Sequence, residues 1–202
     1  MMKRIVVVLA SIFVLLAVAM PGSAASITYT FSGTGTGDLN GVPFTDTAFT
    51  ITSQANTGSI NPACFTGVYC VRSNPATIAI AGFGPATFTT ATEVFDNISG
   101  VLGFERWFDM PDLLDLSNPA FVTYNLATSI GPIFVPTPFS VNQWNCSDGC
   151  VNTTQGILNF SAISNVTFTA STGPAVPEPA TLTLLGLGYL AVGAARRLRR
   201  RV

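Results

Sequence analysis

Six carboxylates crowd one stretch of the chain, at Glu93, Asp96, Glu105, Asp109, Asp112 and Asp115. Two carboxyl groups facing one another across a cleft can hydrolyse a glycosidic bond, one as acid and the other as base or nucleophile. For that chemistry two of Glu93, Asp96, Glu105 and Asp109 would have to converge. Asp109, Asp112 and Asp115 offer oxygen ligands of the kind a weak calcium site uses, although the EF-hand spacing is absent. The plainer reading, and the one the sequence favours, is a set of solvated loop carboxylates. The chain contains no His. Ser-His-Asp and Cys-His catalysis, His metal sites and a His general base are therefore excluded. The expectation is a protein without catalysis and without a cofactor.

Four cysteines fall in two tight local groups, Cys64-Phe-Thr-Gly-Val-Tyr-Cys70 and Cys146-Ser-Asp-Gly-Cys150. In an exported chain an even count at short spacing suggests two disulfides, Cys64 with Cys70 and Cys146 with Cys150, out of three formal connectivities. Zinc is the rival, but neither spacing is the C-x2-C knuckle and the compartment is oxidising. Neither loop has the C-x-x-C spacing of a redox pair, nor a nearby base to lower a thiol pKa.

Trp107 and Trp144, with Phe104, Phe108, Tyr69 and Phe139, are candidates for an aromatic platform on which sugar rings stack. Most large aromatics in a β-domain are core, so the platform is the minority reading. Gly33-Thr-Gly35-Thr-Gly37-Asp38 follows a predicted strand and looks superficially like a phosphate loop. It lacks a following helix and a nearby base, and reads as a flexible hairpin loop. Paired threonines such as Thr28/Thr30 and Thr167/Thr169 recur at irregular intervals, which suits solvated strand faces better than an ice-binding array. Asn-x-Ser/Thr sequons at Asn97, Asn145, Asn152, Asn159 and Asn165 carry no prediction of glycosylation.

The elements that must position these residues are strands. Apolar and polar residues alternate with period two at Ile27, Tyr29 and Phe31, at Phe49 and Ile51, and at Ile78 and Ile80. The same period appears at Val122, Tyr124 and Leu126, at Leu158, Phe160 and Ala162, and at Val166, Phe168 and Ala170. These are half-buried strands. Gly and Pro punctuate them, at Gly33 to Gly41, Gly58 to Pro62, Gly82 to Pro85, Gly131-Pro132 and Pro136 to Pro138. Many short strands at this spacing predict an all-β, antiparallel β-sandwich or jelly-roll-like domain. One short helix is expected around Asp109 to Leu116, with Pro111 in its first turn.

Charge divides the chain into three parts. Seven of nine bases lie at the ends: Lys3, Arg4, Arg196, Arg197, Arg199, Arg200 and Arg201. Between Ser26 and Val176 two bases, Arg72 and Arg106, stand against nine acids, a net of −7. An acidic body of this kind is no nucleic-acid binder, which needs a basic face for phosphate. Residues 1–25 have the layout of a secretory signal peptide: Lys3-Arg4, an apolar run from Ile5 to Met20, a Pro21-Gly22 breaker, then Ser23, Ala24 and Ala25. The exported domain is expected over 26–173.

Residues 174–202 form the third part. A Pro-rich linker leads into Pro177-Glu178-Pro179, an apolar segment from Ala180 to Ala195, and the arginines. Sixteen helical residues reach about 24 Å, short of a hydrocarbon core of roughly 30 Å. Snorkelling arginines and local thinning still allow a span, and Arg196, Arg197, Arg199, Arg200 and Arg201 would act as a basic stop on the cytoplasmic side.

This tail resembles the PEP-CTERM sorting signal of Gram-negative bacteria, a Pro-Glu-Pro motif ahead of a short apolar helix and a basic end. The resemblance covers about 26 of 202 residues. It implies export, transient anchoring in the inner membrane, processing by a membrane-embedded exosortase, and transfer to the cell surface or extracellular matrix. The resulting expectation is a structural or adhesive component of an exopolysaccharide matrix or biofilm. A carbohydrate-binding module is the alternative, and a carboxylate-dependent hydrolase the third reading.

Overall fold

A computed structural model describes residues 24–73, 75–107, 112–141 and 150–175. The expected signal peptide up to residue 23, the Pro177-Glu178-Pro179 motif, the apolar segment and the arginine stop lie outside the described residues. So do Asp109, Trp144 and Cys146. Among the described residues no helix is long and apolar enough to cross a membrane.

Residues Ala25–Pro174 form one compact unit. It opens with two long strands, β1 (Ala25–Leu39) and β2 (Val42–Asn56). Asn40 and Gly41 join them in two residues, both at positive φ (53° and 78°). That is the backbone of a type I′ turn, whose twist matches the strands it connects. There follow β3 (Asn61–Phe65), β4 (Val68–Arg72), β5 (Thr77–Ile80), β6 (Gly84–Thr87), β7 (Thr92–Asn97), β8 (Val101–Arg106) and β9 (Asp112–Ser117). The last four are β10 (Ile130–Val135), β11 (Ser140–Val141), β12 (Val151–Thr153) and β13 (Gly156–Ala175). The strand pairings among the described residues are antiparallel, in two sheets. The first sheet runs β10-β13-β1-β2-β5-β6, with β12 added against β13; the second runs β11-β9-β8-β7-β4-β3.

The inward faces of both sheets feed one core. Ile27, Tyr29 and Phe31 of β1 are fully buried. The Phe31 ring lies 5.0 Å from Phe168 of β13 and 6.1 Å from Phe104 of β8 in the other sheet. Each fully buried side chain of this size contributes about 1.5–3 kcal/mol through removal of apolar surface from water. Tyr29 keeps its polar end satisfied by donating to the Leu126 carbonyl, 2.7 Å away.

Four sequence expectations need correction. Gly33 to Gly37 is not a flexible loop but the interior of β1, with a register shift between Gly35 and Gly37. Glycine is required there because a Cβ on Gly35 would strike the Phe160 ring, and one on Gly37 the Asn159 carbonyl. Val122, Tyr124 and Leu126 are not a strand. Asn118 caps a 3-10 turn over Pro119–Phe121, and Leu126 sits at φ 64°, outside strand geometry. Tyr124 and Leu126 still reach the core. The expected helix around Asp109 to Leu116 is replaced over its described part by β9, whose LLDL sequence buries residues on both faces. Finally, Leu158 to Ala170 lies within one 20-residue strand whose inward phase changes: Leu158 and Phe160 are buried, Ala162 is exposed, and Ile163 and Val166 are buried. Asn165, at φ 54°, marks the irregularity.

Candidate functional site

The register of the second sheet sets Arg72, Glu93, Glu105 and Asp112 in a row. Arg72 pairs with Glu93, Glu93 with Glu105, and Glu105 with Asp112. Directly opposed residues share a sheet face. This face is the one turned away from the core, because Val94, Phe104 and Leu114, next along each strand, are paired on the inward side. The register shifts between Phe104 and Glu105, leaving Leu113 as an extra residue in β9. Such a bulge changes the side-chain alternation. As a result Asp115, paired with Gly103, joins the same group.

The group is largely shut away from water. Glu93 is 4% exposed, and Glu105 and Asp115 are 5% exposed. Burial holds the Glu105 carboxyl well above the usual carboxylate range, reinforced by hydrogen bonding to Asp112 and by the charges of Glu93 and Asp112. Asp115 is raised by burial first and by Asp112 second. A hydrogen bond between two carboxyl groups needs a proton, and Glu105, held high, supplies it. The two catalytic carboxyls of a glycosidase stand about 5–9.5 Å apart, leaving room for the bond they cleave. Glu93 and Glu105 are hydrogen-bonded to each other and leave no such room.

Asp96 belongs elsewhere. It lies opposite Leu102 and Tyr69 on the inward face, 1% exposed, and neither carboxyl oxygen has a hydrogen-bond partner. Desolvation pushes its pKa up to about 8. The expectation of solvated loop carboxylates thus gives way to strand residues: Glu93, Glu105, Asp112 and Asp115 together on the outer face, and Asp96 in the core. Among the described residues no three acidic or Cys side chains are arranged to hold a metal ion. Of the proposed calcium ligands, Asp112 and Asp115 come together and Asp109 lies outside the described residues.

The aromatic candidates disperse. Phe104 is fully buried, Tyr69 packs against the core, and Phe139 is 74% exposed just before β11. Phe108 and Trp144 lie outside the described residues. Trp107, 41% exposed, carries the Arg72 guanidinium over its ring at 4.3 Å, a cation–π contact.

Sequence reasoning missed a groove of mixed polar and apolar lining beside this pair. It has a volume of about 330 Å³ and is lined by Ser26, Thr28, Gln54, Ala55, Asn56, Ser59 and Arg72, from the paired ends of β1 and β2, the turn after them, and the end of β4. The only advance signal was the rarity of Arg72, one of two bases in the exported domain.

Cys64 and Cys70 form a disulfide across the β3–β4 hairpin, with Cα atoms 6.1 Å apart. Cys150 is also disulfide-bonded, and its expected partner Cys146 lies outside the described residues. At the far end of the chain, the family described as the PEP-CTERM protein-sorting motif matches residues 175–201. The chain carries a PEP-CTERM sorting signal. This signal marks an exported protein, processed by an exosortase-type enzyme and destined for the cell surface or the extracellular space. The match spans Pro177-Glu178-Pro179 and all five arginines of the tail. No curated protein and no solved structure matches the chain.

Proposed function

We propose that this PEP-CTERM protein is a non-catalytic structural or adhesive component of an exopolysaccharide matrix, built as a sandwich-like domain on a removable membrane tether. The observation that carries this reading is the sorting signal at 175–201, which directs export but contributes no chemistry of its own. The leader at residues 1–25 would start export. The apolar segment from Ala180 to Ala195, stopped by Arg196, Arg197, Arg199, Arg200 and Arg201, would hold the precursor in the inner membrane until processing. A hydrolytic role is disfavoured by the carboxyl groups that would perform it. They are buried and bonded to one another, so a glycosidic oxygen has no place between them. A carbohydrate-binding function is the second reading, and the groove at Arg72 is the observation that favours it.

Intact mass and fractionation of the protein from its host, comparing wild type with Glu178→Ala, test the sorting route. Loss of the tail and release to the surface or matrix, both abolished by the substitution, is the expected outcome. A full-length mass in the inner membrane for both forms would reduce the protein to a simply anchored domain.

A further inference from the structure

We infer that the groove at Arg72 is a binding site for a saccharide bearing a carboxylate, a uronic-acid unit of an acidic polysaccharide. The inference deepens the matrix reading and rests on it for the source of the ligand.

Three features point to this chemistry. First, Arg72 is the one charged residue lining the groove, in a domain otherwise dominated by acids. Its guanidinium stacks on the Trp107 ring, 4.3 Å from the centroid. Stacking on an indole ring fixes the plane of a guanidinium while leaving its N–H fork for a planar anion. Second, beside Ala55 the other lining groups are three hydroxyls and two amides, which donate and accept, as a ring of sugar hydroxyls requires. Third, 330 Å³ lies at the small end of ligand sites and suits one or two sugar units rather than a globular partner. The larger groove, of about 580 Å³ beside Asp38 and Asn159, is a weaker candidate, because those two side chains already bond each other and its charged member is an acid.

The test is calorimetric titration of the full-length chain, held in a zwitterionic detergent to avoid competing sugar headgroups, with trigalacturonate and with its methyl-esterified trimer. Wild type should bind the acid at least tenfold more tightly than the ester, with affinity falling as salt rises. Arg72→Gln should lose about tenfold or more, and Arg72→Lys should fall between, since an ammonium keeps the charge but not the planar fork. Gln54→Ala, at an exposed position, should weaken both trimers alike. Absence of wild-type binding, equal affinity for acid and ester, or undiminished binding by Arg72→Gln with wild-type thermal stability would each overturn the assignment. None of these results touches the sorting route, which is read from the tail by fractionation. An Arg72→Gln protein should still be processed and exported normally.

Discussion

Asp112 and Asp115 lie three residues apart in β9, yet both belong to one carboxyl cluster, because the extra residue Leu113 lies between their pairing positions on β8. In an unbroken strand, residues three apart point to opposite faces. The bulge therefore creates a site that neither carboxylate could form alone, and it joins them to Glu105. The cost is charge. With Asp96 buried on the other face, the second sheet holds carboxyl groups that prefer to be protonated.

From this follows an inverted pH dependence. Carboxyls of an unfolded chain ionise near pH 4, whereas Asp96 in the folded domain does so at about pH 8. Between those values the folded state binds more protons than the unfolded state, so this contribution to stability is complete below about pH 4 and is lost as pH rises towards 8. Glu105 and Asp115 act in the same direction. Thermal melts of the full-length chain from pH 4 to 8 should show Tm falling as pH rises. Asp96→Asn should flatten the slope by removing one titrating group, and a Tm that rises over this range would contradict the raised pKa values.

What the sequence made legible depended on how far away the cause lay. Ile27, Tyr29 and Phe31 announced β1 because their alternation is local, and the same was true of Phe49 and Ile51 in β2. Gly33 to Gly37 misled because the reason for Gly35 and Gly37 is Asn159 and Phe160, more than 120 positions away in β13. The clustering of Asp112, Asp115, Glu93 and Glu105 depends on a bulge and on the pairing of three strands, neither of which has a mark in the residues themselves. Asp112-Leu-Leu-Asp-Leu was ambiguous because a strand buried on both faces loses its period-two signature. The sorting tail lies at the opposite extreme: a contiguous motif read by another protein, legible without any fold.

Gly103 is where the cluster meets the Phe95 ring. A Cβ at this position would collide with the Asp115 carboxyl and the Phe95 ring, both from neighbouring strands of the same sheet. Gly103→Ala should therefore force Asp115 and Phe95 apart and destabilise the domain by about 1–3 kcal/mol, the usual cost of overpacking. Urea denaturation measures it. An unchanged midpoint would mean that the sheet yields at this point, and would argue against tight closure of the carboxyl cluster over Gly103.

Tyr29 tests how the segment after Asn118 is held without a strand ladder. Residues 122–129 make no sheet pairs, but the Tyr29 hydroxyl donates to the Leu126 carbonyl at 2.7 Å, and both residues are fully buried. Leu126 sits at positive φ, a conformation that costs a β-carbon-bearing residue energy and persists only when its surroundings enforce it. Tyr29→Phe keeps the ring and its contact with Phe168 but leaves that carbonyl buried without its donor. The expected loss is about 1–3 kcal/mol. Amide hydrogen exchange should localise it, with faster exchange at Tyr124, whose N–H bonds the Phe121 carbonyl, and with little change in the β1–β2 hairpin. Loss spread evenly over both sheets would instead identify the Tyr29 hydroxyl as a general support of the core rather than the anchor of this segment.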